Sequence, residues 1–248
     1  MMSTGTAKAS IRATLFALAA IAIAVALAAP MTDGHAANSR TTRHLIGHSV
    51  QGRAIFAYEL GDPSGSPVLV VGSVHGNEPA GVVVAKRLLG MRPPEGVDLW
   101  VILELNPDGF AAGTRGNAHG VDLNRNFPWG WRRLTGSSYS GPRSLSEPEA
   151  QAAARLIRRV RPQLTIWFHQ PLGLVDGSKR SLALERRFAR LSGLPLKQLK
   201  GRYPGAATHW ERHIIPGATA FVVELPGGTP SAARVDRYAR AVLTVSTY

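Results

Sequence analysis

A histidine and a glutamate three residues apart close an apolar run in Val68-Leu-Val-Val-Gly-Ser-Val-His75-Gly-Asn-Glu78. The run has strand character, and the glycine after His75 predicts a turn that presents both side chains together. Imidazole nitrogen and carboxylate oxygen can share one metal ion at roughly 2.0–2.2 Å each. Two later apolar runs end the same way, Leu164-Thr-Ile-Trp-Phe-His169 and Ala220-Phe-Val-Val-Glu224. Strands of open α/β sheets deliver functional groups at their carboxyl ends, which is where these residues fall. Three ligands and a detached carboxylate are the inventory of a catalytic zinc centre that keeps one position for water. A single His-x-x-Glu pair arises by chance on many surfaces; its recurrence with matching residues at successive strand ends does not.

The elements that must hold these residues can be read from periodicity and turn chemistry. Arg43–Val50 and Arg53–Leu60 predict two strands around Gln51-Gly52, and Pro67–Ser73 predicts a buried strand. Pro79–Leu89 predicts a helix closed by Gly90, and Val97–Leu105 another strand. From Asn106 to Gly141 the chain is rich in glycine and asparagine with no sustained period, as expected of a functional loop in a compact domain. Ser146-Glu-Pro-Glu149 resembles a capping box, with Ser146 as N-cap and Glu147 and Glu149 serving the first turn of a helix through Val160. A strand over Gln163–His169, a helix near Ser181–Leu191, a strand over Ala218–Leu225 and a helix from Thr229-Pro230 to Leu243 complete the chain. Strands alternating with helices predict an α/β sandwich.

The 248 residues fit one large domain once a leader is set aside. Lys8 and Arg12 precede an uncharged apolar run, Ala13 to Ala29, that ends at Pro30, and the small residues around Ala26-Leu-Ala28 suit signal peptidase, with Ala36 as a weaker site. Residues 1–36 are therefore expected to be a signal peptide or N-terminal membrane anchor with the start of a linker, and 37–248 the catalytic domain. The expected location is secreted, periplasmic or cell-wall, with anchoring by an uncleaved leader as the alternative. The chain contains no cysteine, which excludes a thiolate zinc site and cysteine nucleophiles. Its net charge of +13 favours anionic surfaces such as wall polymers or lipid head groups. The basic residues are scattered and carry none of the common nucleic-acid motifs, so no nucleic-acid partner is expected.

In order along the chain, His75-x-x-Glu78, Asn106-Pro-Asp-Gly109, Gly120-Val-Asp-Leu-Asn-Arg-Asn-Phe127, His169 and Glu224 resemble the zinc carboxypeptidase family. The resemblance covers about residues 43–245. It implies a single-domain three-layer sandwich, a mixed twisted sheet flanked by helices, with zinc at the carboxyl ends of strands. It implies that His75, Glu78 and His169 hold one zinc ion and that Glu224 is the general base. Asp122 matches a position that orients a zinc-binding histidine. Asn124 and Arg125 match the pair that grips a substrate's terminal carboxylate, and Arg115 the arginine that polarises the scissile carbonyl. Tyr203 matches a mobile active-site tyrosine, while Thr208, His209 and Trp210 fall where a specificity pocket is built. His119 reads as structural.

Within the family, His75-Gly-Asn-Glu78-Pro-Ala-Gly and Phe168-His-Gln-Pro171 look most similar to the murein peptide amidases, which cleave the γ-D-glutamyl–diaminopimelate amide of wall peptides. A monomer acting on a peptide or murein peptide with a free terminal carboxylate is the expectation. The shared His-x-x-Glu and Asp-Leu-Asn-Arg block also resembles N-acyl amino acid amidohydrolases such as succinylglutamate desuccinylases and aspartoacylases. A non-catalytic wall-binding protein on the same fold is the remaining alternative.

Overall fold

A computed structural model of the chain describes residues 41–178, 182–201 and 203–247. The leader or anchor expected over residues 1–36 lies outside the described residues. Among those described, no helix is long and apolar enough to cross a membrane.

Among the described residues, eight strands make one mixed sheet: β1 (Thr42–His48), β2 (Ala54–Gly61), β3 (Ser66–Val71), β4 (Val97–Ile102), β5 (Leu164–His169), β6 (Leu172–Asp176), β7 (Leu196–Lys197) and β8 (Thr219–Pro226). Their order is β1-β2-β4-β3-β5-β8-β6-β7. The four central strands, β4, β3, β5 and β8, run parallel. β1 and β2 form the expected hairpin, and β2 and β6 pair antiparallel with the central set. Parallel strands need both faces covered, which explains why β4 and β5 are buried at every position.

Side-chain alternation divides the core in two. Val68 and Val70 of β3 point to one face with Ile166 and Phe168 of β5, under α1 (Ala80–Leu89), α4 (Leu182–Ser192) and α6 (Ala232–Val245). Leu69 and Val71 point to the other with Trp167, under α3 (Pro148–Val160) and α5 (Ala207–Ile214). The result is a single α/β domain in three layers, as expected.

Several local expectations are corrected. The stretch Asn106–Gly141 holds a short helix, α2 (Pro107–Ala112), and two 3-10 turns, Leu123–Arg125 and Gly136–Ser138. Asn106 caps α2 by accepting from the Gly109 N–H, a signal present in the sequence as Asn-Pro. Ser146 is not the N-cap of α3. The helix starts at Pro148 with Glu147 at the N-cap position, one residue later than expected, and the Ser146 hydroxyl donates to Glu147 Oε1 at 2.7 Å.

Glu147 holds the N-cap position without a side-chain cap bond and Glu149 stands in the first turn as expected, but both carboxylates are also committed to partners outside the helix. Glu149 is fully buried and accepts from the Val50 N–H at 3.0 Å and from Asn117 Nδ2 at 3.0 Å. Glu147 Oε2 accepts from the same Asn117 amide at 2.7 Å and lies 2.8 Å from His119 Nδ1. These two carboxylates fasten the 106–125 loop and the first hairpin turn to α3.

Candidate metal centre and substrate cavity

Strand register builds the site. In the β5–β8 pairing His169 stands directly beside Glu224. β3, on the other side of β5, ends at Val71, and the chain then continues past the sheet edge into the turn carrying His75 and Glu78. The Glu78 N–H donates to the His75 carbonyl at 3.2 Å, folding the two side chains toward each other. Gly76 between them admits no side chain: a Cβ there would lie 1.9 Å from the Gly109 carbonyl carbon of α2.

His75, Glu78 and His169 each contribute one donor atom to a buried group in which all three lie within 4.8 Å of one another. His75 Nδ1 is 2.9 Å from Glu78 Oε1 and 3.2 Å from His169 Nδ1, which in turn is 2.9 Å from Glu78 Oε2. The opposite edge of His75, Nε2, lies 2.9 Å from Asp122 Oδ1. A carboxylate only accepts, so Nε2–H is the donor to Asp122, and Nδ1 is the nitrogen that would be free to bind a metal in place of its bond to Glu78. Burial raises the Glu78 carboxyl, but hydrogen bonds and charge from His169 and His75 outweigh it and hold the group well below the usual range. Asp122 is held low in the same way, burial being overcome by His75 and the charges of Arg115 and Arg125. Two imidazoles and an ionised carboxylate, with no thiolate in the chain, fit a zinc ion whose remaining position faces a cavity.

That cavity, about 630 Å³, is lined by the three donors together with Glu224, Arg115, Asn124, Arg125 and Tyr203. The expected zinc donors, general base and substrate-binding residues thus face one space, and Asp122 stands behind His75. The Glu224 Oε2 atom is buried with no hydrogen-bond partner among the described residues. Burial pushes the Glu224 carboxyl up; His169 pulls it down, the Glu78 charge pushes it up again, and the net direction is upward.

Arg115 reaches Asp122 Oδ2 through Nε and an NH2 group, at 3.1 and 2.9 Å, and Glu78 Oε1 at 3.1 Å. Arg125 is anchored by one bond to the Asn124 carbonyl at 2.7 Å, and its guanidinium lies 5.3 Å from the centre of the Tyr203 ring. Asn124 Oδ1 accepts from the Ala207 N–H at 3.0 Å, leaving its Nδ2 edge near His169 Nε2 at 3.4 Å.

Of the residues expected in a specificity pocket, Thr208 and His209 line the cavity. Trp210 does not. It is buried in the core beneath α5, 5.3 Å from the Phe127 ring centre, because successive helix residues point about 100° apart. Residues not foreseen also line the cavity, among them Asp176 and Arg212. Asp176 lies opposite Val222 while Leu174 lies opposite Glu224. Asp176 is therefore on the same sheet face as Glu224, about 7 Å further along the strands. Burial raises its carboxyl, against the Leu199 N–H and the Arg212 charge. A polar residue inside the short β6 run was the only sequence signal for it.

A zinc carboxypeptidase family model matches residues 31–172. Murein peptide amidase A of Escherichia coli K12 is 32% identical over 184 residues, covering 68% of this chain and 75% of that protein. Its Vibrio campbellii counterpart is 32% identical over 197 residues, covering 73% and 77%. The crystal structure of the murein-tripeptide amidase of Escherichia coli O157 superposes with a TM-score of 0.70 at 28% identity, over 86% of this chain and 94% of that one. Carboxypeptidase A of Helicoverpa armigera shares the fold, with a TM-score of 0.68 at 18% identity over 84% of this chain and 68% of its own. With more than half of its length matched by the family model and relatives that span two thirds of it, the chain belongs to the zinc carboxypeptidase family and is a zinc-dependent hydrolase.

Proposed function

We propose that this hydrolase cleaves the γ-D-glutamyl–diaminopimelate amide of bacterial wall peptides, with His75, Glu78 and His169 holding the zinc ion. The observation that carries the reading is the shared cavity: it holds the three donors and the Glu224 carboxylate, one oxygen of which has no hydrogen-bond partner among the described residues, and the same space contains the Arg125 guanidinium and a second, more distant carboxylate, Asp176. Zinc, when bound, supplies Lewis acidity, polarising an amide carbonyl and acidifying a water at neutral pH.

The remaining steps belong to side chains of this chain. Arg125, with the Nδ2 edge of Asn124, grips the carboxylate beside the scissile bond through charge-assisted hydrogen bonds, and Tyr203 packs against that guanidinium. Arg115 lies beside Glu78 and can donate to oxyanion charge as the carbonyl carbon becomes tetrahedral. Glu224 accepts the proton of the attacking water and delivers it to the leaving amine, a role suited to a carboxyl raised by burial. Asp176 meets the ammonium at the far end of diaminopimelate, with Arg212 and His209 in the same cavity for its second carboxylate. N-succinyl-glutamate offers no such distal ammonium.

The apolar run Ala13–Ala29 and the net charge of +13 support action outside the cytoplasm, close to anionic wall or membrane surfaces. A matched panel tests the substrate: L-Ala-γ-D-Glu-diaminopimelate, peptides with apolar or basic C-termini, and N-succinyl-glutamate, each with and without chelator. Chelator-sensitive release of diaminopimelate, at a kcat/KM about tenfold or more above the others, is expected. Preference for N-succinyl-glutamate or for ordinary C-terminal residues would refute the assignment.

A further inference from the structure

We infer that Gln170 is a positioning residue that locks together the three segments carrying the zinc donors and the general base. It follows His169 directly. Its Oε1 accepts the N–H of Ala80 at 2.8 Å, the first residue of the helix that begins two residues after Glu78. That helix has Pro79 at its N-cap and makes no side-chain cap of its own, so Gln170 supplies the missing acceptor from another element. Its Nε2 donates to the carbonyls of Pro226 at 2.9 Å and Gly228 at 3.0 Å, where the chain leaves β8 just after Glu224. Its backbone N–H donates to Glu78 Oε2 at 3.2 Å.

The partners fix the amide orientation, because a backbone N–H needs the oxygen and two carbonyls need the nitrogen. Both amide protons are used, so Gln170 lines the cavity without offering those donors to substrate. Its work is to keep His169, Glu78 and Glu224 in one register. A displacement of about 1 Å at such a site can cost about a hundredfold in rate.

Two substitutions separate the two arms. Gln170→Glu keeps an acceptor for Ala80 and turns the donor toward β8 into an acceptor facing two carbonyls. Gln170→Met removes both arms at nearly constant volume. On the full chain, zinc affinity is read by competition with a chromophoric chelator, kcat and KM with the substrate cleaved by the wild type, and folding by circular dichroism. Gln170→Met should bind zinc about tenfold or more weakly and lose about tenfold or more in kcat with little change in KM. Gln170→Glu should bind zinc at least as well as wild type and still lose kcat to a similar degree.

Wild-type zinc affinity and kcat in both folded variants would overturn the role, as would losses that follow thermal stability alone. The inference rests on the zinc assignment above. If that assignment failed, the wild type itself would hold no stoichiometric zinc; if only the Gln170 role failed, the wild type would bind tightly and both variants would match it.

Discussion

At the residue scale, the chemistry follows from what each polar group has been left to do. Glu224 carries a buried oxygen with no hydrogen-bond partner among the described residues, whereas the other acids at the zinc donors, Glu78 and Asp122, are committed to hydrogen bonds. Glu224→Gln should retain one zinc per chain and lose about a thousandfold in kcat, checked by metal analysis beside steady-state rates. Asp122 acts through His75, so Asp122→Asn should weaken zinc binding about 10–100-fold, measured by chelator competition. His75, Glu78, His169 and Glu224 were legible in the sequence because their residue types are rare at the ends of apolar strands. Gln170 and Asp176 were not, because a glutamine after a histidine or an acid in a five-residue run has no distinguishing pattern until the fold supplies its partners.

At the scale of elements, the site depends on backbone approach as much as on donors. The His75 turn lies against α2 so closely that Gly76 cannot carry a Cβ. Gly76→Ala should therefore push the turn outward, lowering zinc affinity about tenfold or more, with a smaller effect on the far-UV spectrum than on metal titration. Long strands and helices were readable from period and turn residues, since β3, β5 and β8 are apolar runs and α1 and α6 repeat with a helical spacing. α2, β6 and α5 were not, being too short for periodicity to accumulate. Glu147 and Glu149 mimic a capping box because Ser-x-x-Glu is also what a buried staple between loop and helix looks like. Only the contacts with Asn117 and Val50 distinguish the two.

For the whole molecule, the sandwich is held by two apolar layers, and ionisable groups are buried beside them. Glu211 is buried under α5, accepting from Thr165 and from Trp167 Nε1, and burial pushes its carboxyl up to about 7 from 4.5 despite those bonds. A folded-state value above the unfolded one means the folded chain holds a proton longer. The associated stability is full below about pH 4.5 and is lost as pH rises through about 7. That loss is on the order of 3 kcal/mol. Chemical denaturation at pH 4.5, 6 and 7.5 should show Glu211→Gln losing much of this slope; an unchanged slope would remove the group from the account. The central claim, that side chains from β5 and from the turn after β3 converge on one zinc ion, is tested most directly by anomalous diffraction at the zinc edge. A single peak bonded at about 2.0–2.2 Å to His75, His169 and Glu78 is expected. A fully active crystal whose zinc lies away from these three residues would contradict it.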